Sequence, residues 1–217
     1  DVRAAMSLMA SAFYGHPSRR LRMIGVTGTK GKTTVSYFVK AIMERAGYSC
    51  GLIGTTGYMI GNRWSKGALT TPDPIELQRT LRDMVDAGVQ TVSMEVSAHA
   101  ITMHRLEGVS FEAGCFTNLS QDHLDYFKTM EAYFDAKKSF FTSGAVRNAA
   151  LNVDDDMAHL IMDDIAIPHS TYGICTNADI FARNIEISED GVQFELFLWN
   201  EQVYPARLQM MGMFNVY

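Results

Sequence analysis

Gly25-Val26-Thr27-Gly28-Thr29-Lys30-Gly31-Lys32-Thr33-Thr34 decides how this chain is read. Before it, Met23-Ile24-Gly25-Val26 is apolar and short, the mark of a buried strand. After it, Val35, Phe38, Val39, Ile42 and Ala46 recur on one face of a helix, which Gly47 ends. The stretch between is therefore a glycine-bearing loop from a strand to a helix amino terminus. Glycines at 28 and 31 let the backbone amides curl around phosphate oxygens. The helix terminus adds partial positive charge. Lys32 can reach the β and γ phosphates, and Thr33 can place its hydroxyl on Mg²⁺. A strict P-loop has glycine where this chain has Val26, so the pattern fails while its context holds.

Outward from the loop, strands alternate with helices. Ser49 to Gly54, Thr91 to Val96, Glu112 to Thr117 and Ala149 to Val153 read as strands. Helices are expected from Pro74 to Gly88, with Leu77, Leu81, Met84 and Val85 inward, and from about Met130 to Ser143. Such alternation predicts an α/β fold, a mostly parallel sheet with helices on both faces. Asp179 to Ser188 and Val192 to Trp199, joined by Glu189-Asp190-Gly191, read as a hairpin, and Val203 to Leu208 as a further strand. A small antiparallel sheet near the carboxyl end is therefore expected. At the other end Ala4, Met6 to Met9 and Phe13 suggest a short apolar-faced helix, stopped at Gly15-His16-Pro17.

Composition sets the outer bounds. The chain has 217 residues, 47% of them hydrophobic, and a formal charge of −5. That supplies a full core and argues against a nucleic-acid coat or a membrane-surface protein. No apolar run approaches the roughly 18 residues of a membrane span. Cys50, Cys115 and Cys175 form neither a C-x-x-C pair nor an even framework. A reducing cytoplasm is expected, with all three as small buried residues. His16, His104, His159 and His169 carry no pattern, and Asp154-Asp155-Asp156 reads as a helix cap with extra solvated charge.

Chemistry concentrates in two further places. In Met94-Glu95-Val96-Ser97-Ala98-His99-Ala100 the alternation puts Glu95 and Ser97 on one face at a strand's carboxyl end. Open α/β sheets bind ligands at that edge, and a carboxylate beside a phosphate loop is what Mg²⁺ needs. In the helix after Met130, Tyr133, Phe134 and Phe141 form an apolar face with Lys137 at its middle. A lysine there either snorkels outward or sits buried, and burial lowers its pKa so that a neutral amine becomes available.

Thr27-Gly28-Thr29-Lys30-Gly31-Lys32-Thr33-Thr34 resembles the ATP loop of the Mur ligases, whose glycine is shifted in the same way. Relatives commonly carry Asn where Lys30 stands. Glu95 to Ala100 resembles the signature of the branch that adds the third amino acid to UDP-N-acetylmuramoyl-L-alanyl-D-glutamate. Asn118-Leu119-Ser120-Gln121-Asp122-His123-Leu124-Asp125 is similar to the family's next segment.

The resemblance implies nucleotide binding by Gly28, Thr29, Lys30, Gly31, Lys32, Thr33 and Thr34, with Asn215 of Gly212-Met213-Phe214-Asn215 against adenine. It implies catalytic roles for Lys32, Glu95, His123 and Lys137. Thr33 and Glu95 would serve one divalent ion, and His123 a second, shared with Lys137 as a carbamate. Mg²⁺ is the expected ion, with Mn²⁺ the alternative because imidazole suits it better. Thr70, Thr71, Ser97 and Arg105 would hold the UDP-muramoyl dipeptide, although Met103 stands where relatives place a polar group.

The implied reaction is ATP-driven amide formation through an acyl phosphate, with the UDP-MurNAc-dipeptide and an amino acid as substrates. Residues 1–20 would be a connecting helix and linker, and 21–217 the central ATP-binding domain. A uridine-gripping domain would precede Asp1 and an amino-acid-selecting domain would follow Tyr217. The chain alone is then expected to bind nucleotide weakly and not to turn over. Two alternatives use the same loop: a folylpolyglutamate synthetase-like ligase, against which Glu95 to Ala100 speaks, and a nucleotide-dependent switch that ligates nothing. The Asn-Lys-x-Asp segment usual in guanine switches does not occur.

Overall fold

The structure is a computed structural model that describes residues 1–174, 178–199, 202–210 and 212–216. Cys175 and the Phe214 side chain lie outside the described residues. Its strands are β1 (Arg22–Thr27), β2 (Cys50–Gly54), β3 (Gly57–Ile60), β4 (Arg63–Ser65), β5 (Thr91–Glu95), β6 (Ala113–Phe116), β7 (Ala149–Asn152), β8 (His169–Gly173), β9 (Ile180–Ser188), β10 (Gly191–Phe197) and β11 (Val203–Leu208). Its helices are α1 (Val2–Phe13), α2 (Lys32–Arg45), α3 (Pro74–Asp86), α4 (Ala98–Thr102), α5 (Leu124–Phe127), α6 (Met130–Thr142) and α7 (Met157–Met162).

The described strands join one sheet, in the order β11-β10-β9-β8-β7-β6-β1-β5-β2-β3-β4. From β9 through β2 the neighbours run parallel, with β1 central between β5 and β6. The antiparallel β9–β10–β11 unit is present, and it continues the main sheet through β8. Sequence reading missed β8 and the β3–β4 hairpin, which adds an antiparallel edge at the far side. Parallel strands buried on both faces account for the apolar runs: Met23, Val26, Ile53, Val92, Met94, Phe116 and Leu151 all belong to the core.

The helices bury what periodicity predicts in α3, where Leu77, Leu81 and Met84 face inward. Asp73 caps it, its carboxylate accepting from the amides of Ile75 and Glu76 at 3.1 Å each. Asp73→Ala should cost about 1 kcal/mol in chemical unfolding; an unchanged midpoint would show the cap to be idle.

Two other helices turn differently from expectation. In α2 the buried residues are Ser36 and Lys40, while Val35, Phe38 and Val39 are half-buried and Ile42 is exposed. A small serine on that face lets the helix backbone approach β5 and β2. In α1 the buried residues are Ser7, Ala10 and Ser11, and Val2, Met9 and Phe13 are exposed. The serines decide its facing, since Ser7 donates to the His104 carbonyl at 2.5 Å and Ser11 to that of Gly108 at 3.2 Å. Cys50 is buried, but Cys115 is only half-buried, its thiol 3.5 Å from the Tyr172 hydroxyl. Among the described residues no helix is long and apolar enough to cross a membrane.

Candidate nucleotide and metal site

The carboxyl ends of β1, β5, β2 and β6 lie side by side, and each delivers one part of the site. From β1 the chain enters the loop, where Gly28 has φ +146° and Gly31 has φ +84° as the amino-terminal cap of α2. A Cβ on Gly28 would overlap the Thr117 hydroxyl, so only glycine lets the loop lie against the end of β6. That contact is a clamp. Thr117 donates to the Lys30 carbonyl at 2.7 Å, and Asn118 accepts from the Lys30 amide at 2.9 Å while donating to its carbonyl at 3.1 Å. Thr29 is tied to the Ser120 backbone and lies 3.3 Å from the Tyr133 hydroxyl.

Lys32 folds over its own loop, donating to the carbonyls of Gly28 at 3.1 Å and Thr29 at 2.8 Å. Burial lowers its pKa, while Glu95 and Asp122 oppose the shift. Glu95, at the end of β5, is buried, yet its carboxylate is held at both oxygens. Oε1 accepts from the Thr33 hydroxyl and from the Thr55 amide, each at 2.9 Å. Oε2 accepts from the Thr55 hydroxyl at 3.1 Å. Sequence reading overlooked Thr55. Its signal was its place, directly after a β2 that ends at the same sheet edge as the loop.

A cavity of about 220 Å³ gathers Lys32, Thr33, Thr34, Thr70, Glu95, Ser97 and His123. A second, of about 320 Å³, lies across the loop and is lined by Lys30, Gly31, Thr34, Val35, Phe38, Tyr172 and Asn215. Val35 and Phe38, read as core positions, thus present a half-buried apolar wall to a flat ligand. Asn215 comes to this wall from the other end of the chain.

The expected substrate residues divide. Thr70 faces the first cavity and lies 3.0 Å from the Thr55 hydroxyl. Thr71 is buried, and its hydroxyl is spent on donating to the Glu95 carbonyl and accepting from the Ser97 amide. Its side chain therefore fastens the end of β5. Arg105 donates to the Thr71 carbonyl at 2.9 Å and to the Met103 sulfur at 3.3 Å, so Met103 itself partners the arginine. Ser97 caps α4 by accepting from the Ala100 amide. Of the three aspartates after β7, Asp155 accepts from the Met157 amide, and both it and Asp154 tie neighbouring loops.

Lys137 is 1% exposed, so burial prevails over snorkelling. Its Nζ donates to the Gly28 carbonyl at 2.7 Å and stands 4.4 Å from the centre of the Tyr133 ring. Burial first, and the Lys32 charge second, push its pKa down to about 7. His123 is half-exposed, at φ +54°, with its ring edge-on to His99 at 5.0 Å. Burial lowers the His99 pKa, and neighbouring His123 lowers it further. His123 lines the first cavity while Lys137 lies beneath the loop, outside its lining. Both stand near the Tyr133 ring, the His123 ring 6.0 Å and the Lys137 Nζ 4.4 Å from its centre.

Among the described residues, no group of three or more His, Cys, Asp and Glu side chains is gathered for a metal ion. The donors suit a Mg²⁺ that arrives with nucleotide: such an ion keeps phosphate oxygens and waters and needs only one or two protein groups. A hydroxyl and a carboxylate already in contact, Thr33 and Glu95, answer that description.

A family model described as Mur ligase middle domain matches residues 26–217. The chain is 41% identical to the UDP-N-acetylmuramoyl-L-alanyl-D-glutamate–2,6-diaminopimelate ligase of Clostridium botulinum, covering all of this chain and 44% of that protein. A solved structure of a ligase of the same description superposes with a TM-score of 0.89 at 30% identity, covering 98% of this chain and 45% of that one. Mycobacterium tuberculosis folylpolyglutamate synthase, complexed with ADP and AMPPCP, superposes over 98% of this chain and 55% of its own with a TM-score of 0.78. At 14% identity it shares the fold alone. The chain thus spans less than half the length of the curated relative quoted.

Proposed function

The chain belongs to the Mur ligase family, and from that premise we propose that it carries the ATP-binding centre of a ligase extending the peptidoglycan precursor UDP-N-acetylmuramoyl-L-alanyl-D-glutamate. Similarity to the diaminopimelate ligases favours 2,6-diaminopimelate as the added amino acid. The observation that carries the reading is one cavity shared by Lys32, Thr33 and Glu95 with Thr70, Ser97 and His123. Groups proposed to handle phosphate and groups proposed to handle the substrate thus line one cavity.

In the proposed reaction the γ-phosphoryl group of ATP bonds to a carboxylate oxygen of the substrate's glutamate as its bond to the β-phosphate oxygen breaks, giving an acyl phosphate and ADP. The incoming amine attacks that carbonyl carbon, phosphate departs, and the amine proton is released. Phosphoryl transfer of this kind rests on positioning and charge neutralisation. Lys32, once its ammonium leaves the Gly28 and Thr29 carbonyls, neutralises β and γ oxygens. The loop amides and the start of α2 cradle the same phosphates. Thr33 and Glu95 would hold Mg²⁺, which would supply neutralisation of phosphate charge. Asn215, Val35 and Phe38 would take the base. Thr70, Ser97 and Arg105 would orient the UDP-sugar peptide, with Thr71 fixing their frame.

A carbamate at Lys137 and a second ion at His123 belong to the proposal too. What supports the carbamate is a buried amine whose pKa is held near 7. An imidazole donor would favour Mn²⁺ as the ion at His123. The flanking domains, the cytoplasmic setting and the weak nucleotide affinity of the 217-residue chain alone complete the proposal.

Calorimetric titration with Mg·ATP and Mg·GTP, repeated on Lys32→Ala, tests it. We expect heat with ATP that falls at least about tenfold in affinity, roughly 1.4 kcal/mol, in the variant. A clear preference for GTP would overturn the ligase reading in favour of a switch. Binding of folate in place of the UDP-sugar peptide would move it to the folylpolyglutamate synthetase side.

A further inference from the structure

We propose that Thr55 is a positioning residue that aims the Glu95 carboxylate at the nucleotide-bound metal; the inference rests on the function proposed above. A glutamate's terminal torsion is broad, so a carboxylate anchored at one oxygen still swings. Glu95 is anchored at Oε1 by Thr33 and by the Thr55 amide. At Oε2 its partner is the Thr55 hydroxyl, at 3.1 Å. Among the described residues Thr55 alone is hydrogen-bonded to both oxygens, through two different groups. It fixes the plane in which Glu95 presents its lone pairs.

Two neighbouring observations fit that role. A Cβ on Gly54 would overlap Glu95 Oε1, so the carboxylate lies flat against the turn that carries Thr55. The Thr55 hydroxyl also lies 3.0 Å from that of Thr70. Since Thr55 gives its proton to Glu95, Thr70 gives its own to Thr55. The result is a hydroxyl row from the substrate-facing Thr70 to the carboxylate. Thr33 completes the set, donating its proton to Oε1 while its oxygen lone pairs stay available to a cation.

Thr55→Val removes the hydroxyl and keeps both the shape and the amide; Thr55→Ser keeps hydroxyl and amide. The test titrates Mn²⁺ into the natural full-length protein with AMPPCP, following bound Mn²⁺ by electron paramagnetic resonance. AMPPCP affinity in EDTA is measured separately. Thr55→Val should weaken Mn²⁺ at least about tenfold, the usual cost of losing a group that orients a ligand. Metal-free AMPPCP affinity should stay within twofold by the same argument, and Thr55→Ser should restore Mn²⁺. Mn²⁺ binding unchanged in Thr55→Val, or equally weak in Thr55→Val and Thr55→Ser, overturns the proposal. Glu95→Gln separates the two layers. If it binds Mn²⁺ like the parent, the metal role of Glu95 fails, and with it the reading on which Thr55 depends.

Discussion

Gly28→Ala is expected to abolish measurable nucleotide binding while leaving a folded protein. The substitution meets two obstacles at once. A residue with a side chain is strained at φ +146°, at a cost of about 1–3 kcal/mol. Its Cβ would also occupy the place of the Thr117 hydroxyl and press on the Asn118 amide, 3.0 Å away. Thr117 would then lose its bond to the Lys30 carbonyl, and the clamp on residues 29–31 would open. The loop amides would no longer converge, which should lower ATP affinity by about a hundredfold, near 2.7 kcal/mol. Gly31→Ala is the control. Its φ of +84° is also unfavourable, but a Cβ there meets nothing within 4 Å. It should cost only about 1 kcal/mol of stability and retain most of the affinity. Equal losses in the two variants would show that backbone strain alone, and not the approach to Thr117, governs the loop.

The contrast between the two glycines also explains what was legible in the sequence. Both stand in a recognisable pattern, and the pattern names the ligand because loop chemistry is local. Alternating apolar strands and helices gave the parallel core for a similar reason: each element's burial is written in its own period. What failed was facing. In α1 and α2 the apolar residues were assigned inward, yet serines take that side in both. Close backbone approach and hydrogen bonds to distant carbonyls chose the face, and neither leaves a period in the sequence. β3 and β4 escaped because four- and three-residue strands are too short to show alternation.

At the site, Lys32, Thr33, Glu95 and Lys137 stand out in the sequence because charge or a hydroxyl occupies an improbable position. Thr55 does not. A threonine after a strand is common, and its importance arises only when β2 and β5 pair and bring its amide and hydroxyl to one carboxylate. Thr71 shows how two adjacent threonines can face differently. Sequence placed it with Thr70, but their side chains part: Thr70 faces the cavity, while Thr71 turns inward to fasten β5.

Lys137→Met should raise stability in mildly acidic solution and eliminate the chemistry assigned to the amine. The folded-state pKa of Lys137 is lowered to about 7 from 10.5, chiefly by burial. Below about pH 7 both folded and unfolded chains hold the proton, so the folded state bears the full cost of a buried ammonium. Between about 7 and 10.5 the unfolded chain binds more protons than the folded one, and stability rises with pH. The penalty removed by methionine is therefore on the order of 4 kcal/mol at pH 6 and shrinks toward pH 9. Denaturant unfolding of both proteins in CO₂-free buffer reads this directly; parallel stability curves would show that Lys137 is ordinarily protonated and solvated.

Adding ¹³C-bicarbonate extends the test to the carbamate. The neutral amine adds CO₂ and releases a proton, so the carbamate signal should grow as pH climbs through 7 and be missing in Lys137→Met. Electrostatics favours that product. Lys32 and Lys137 both donate to the Gly28 carbonyl, and their like charges oppose each other across it. Turning Lys137 from a cation into an anion removes that repulsion and makes the pair attractive. Lys32→Ala should accordingly raise the Lys137 pKa and lower its carbamate occupancy at neutral pH, linking the residue that meets ATP to the modification state of the lysine beneath the loop.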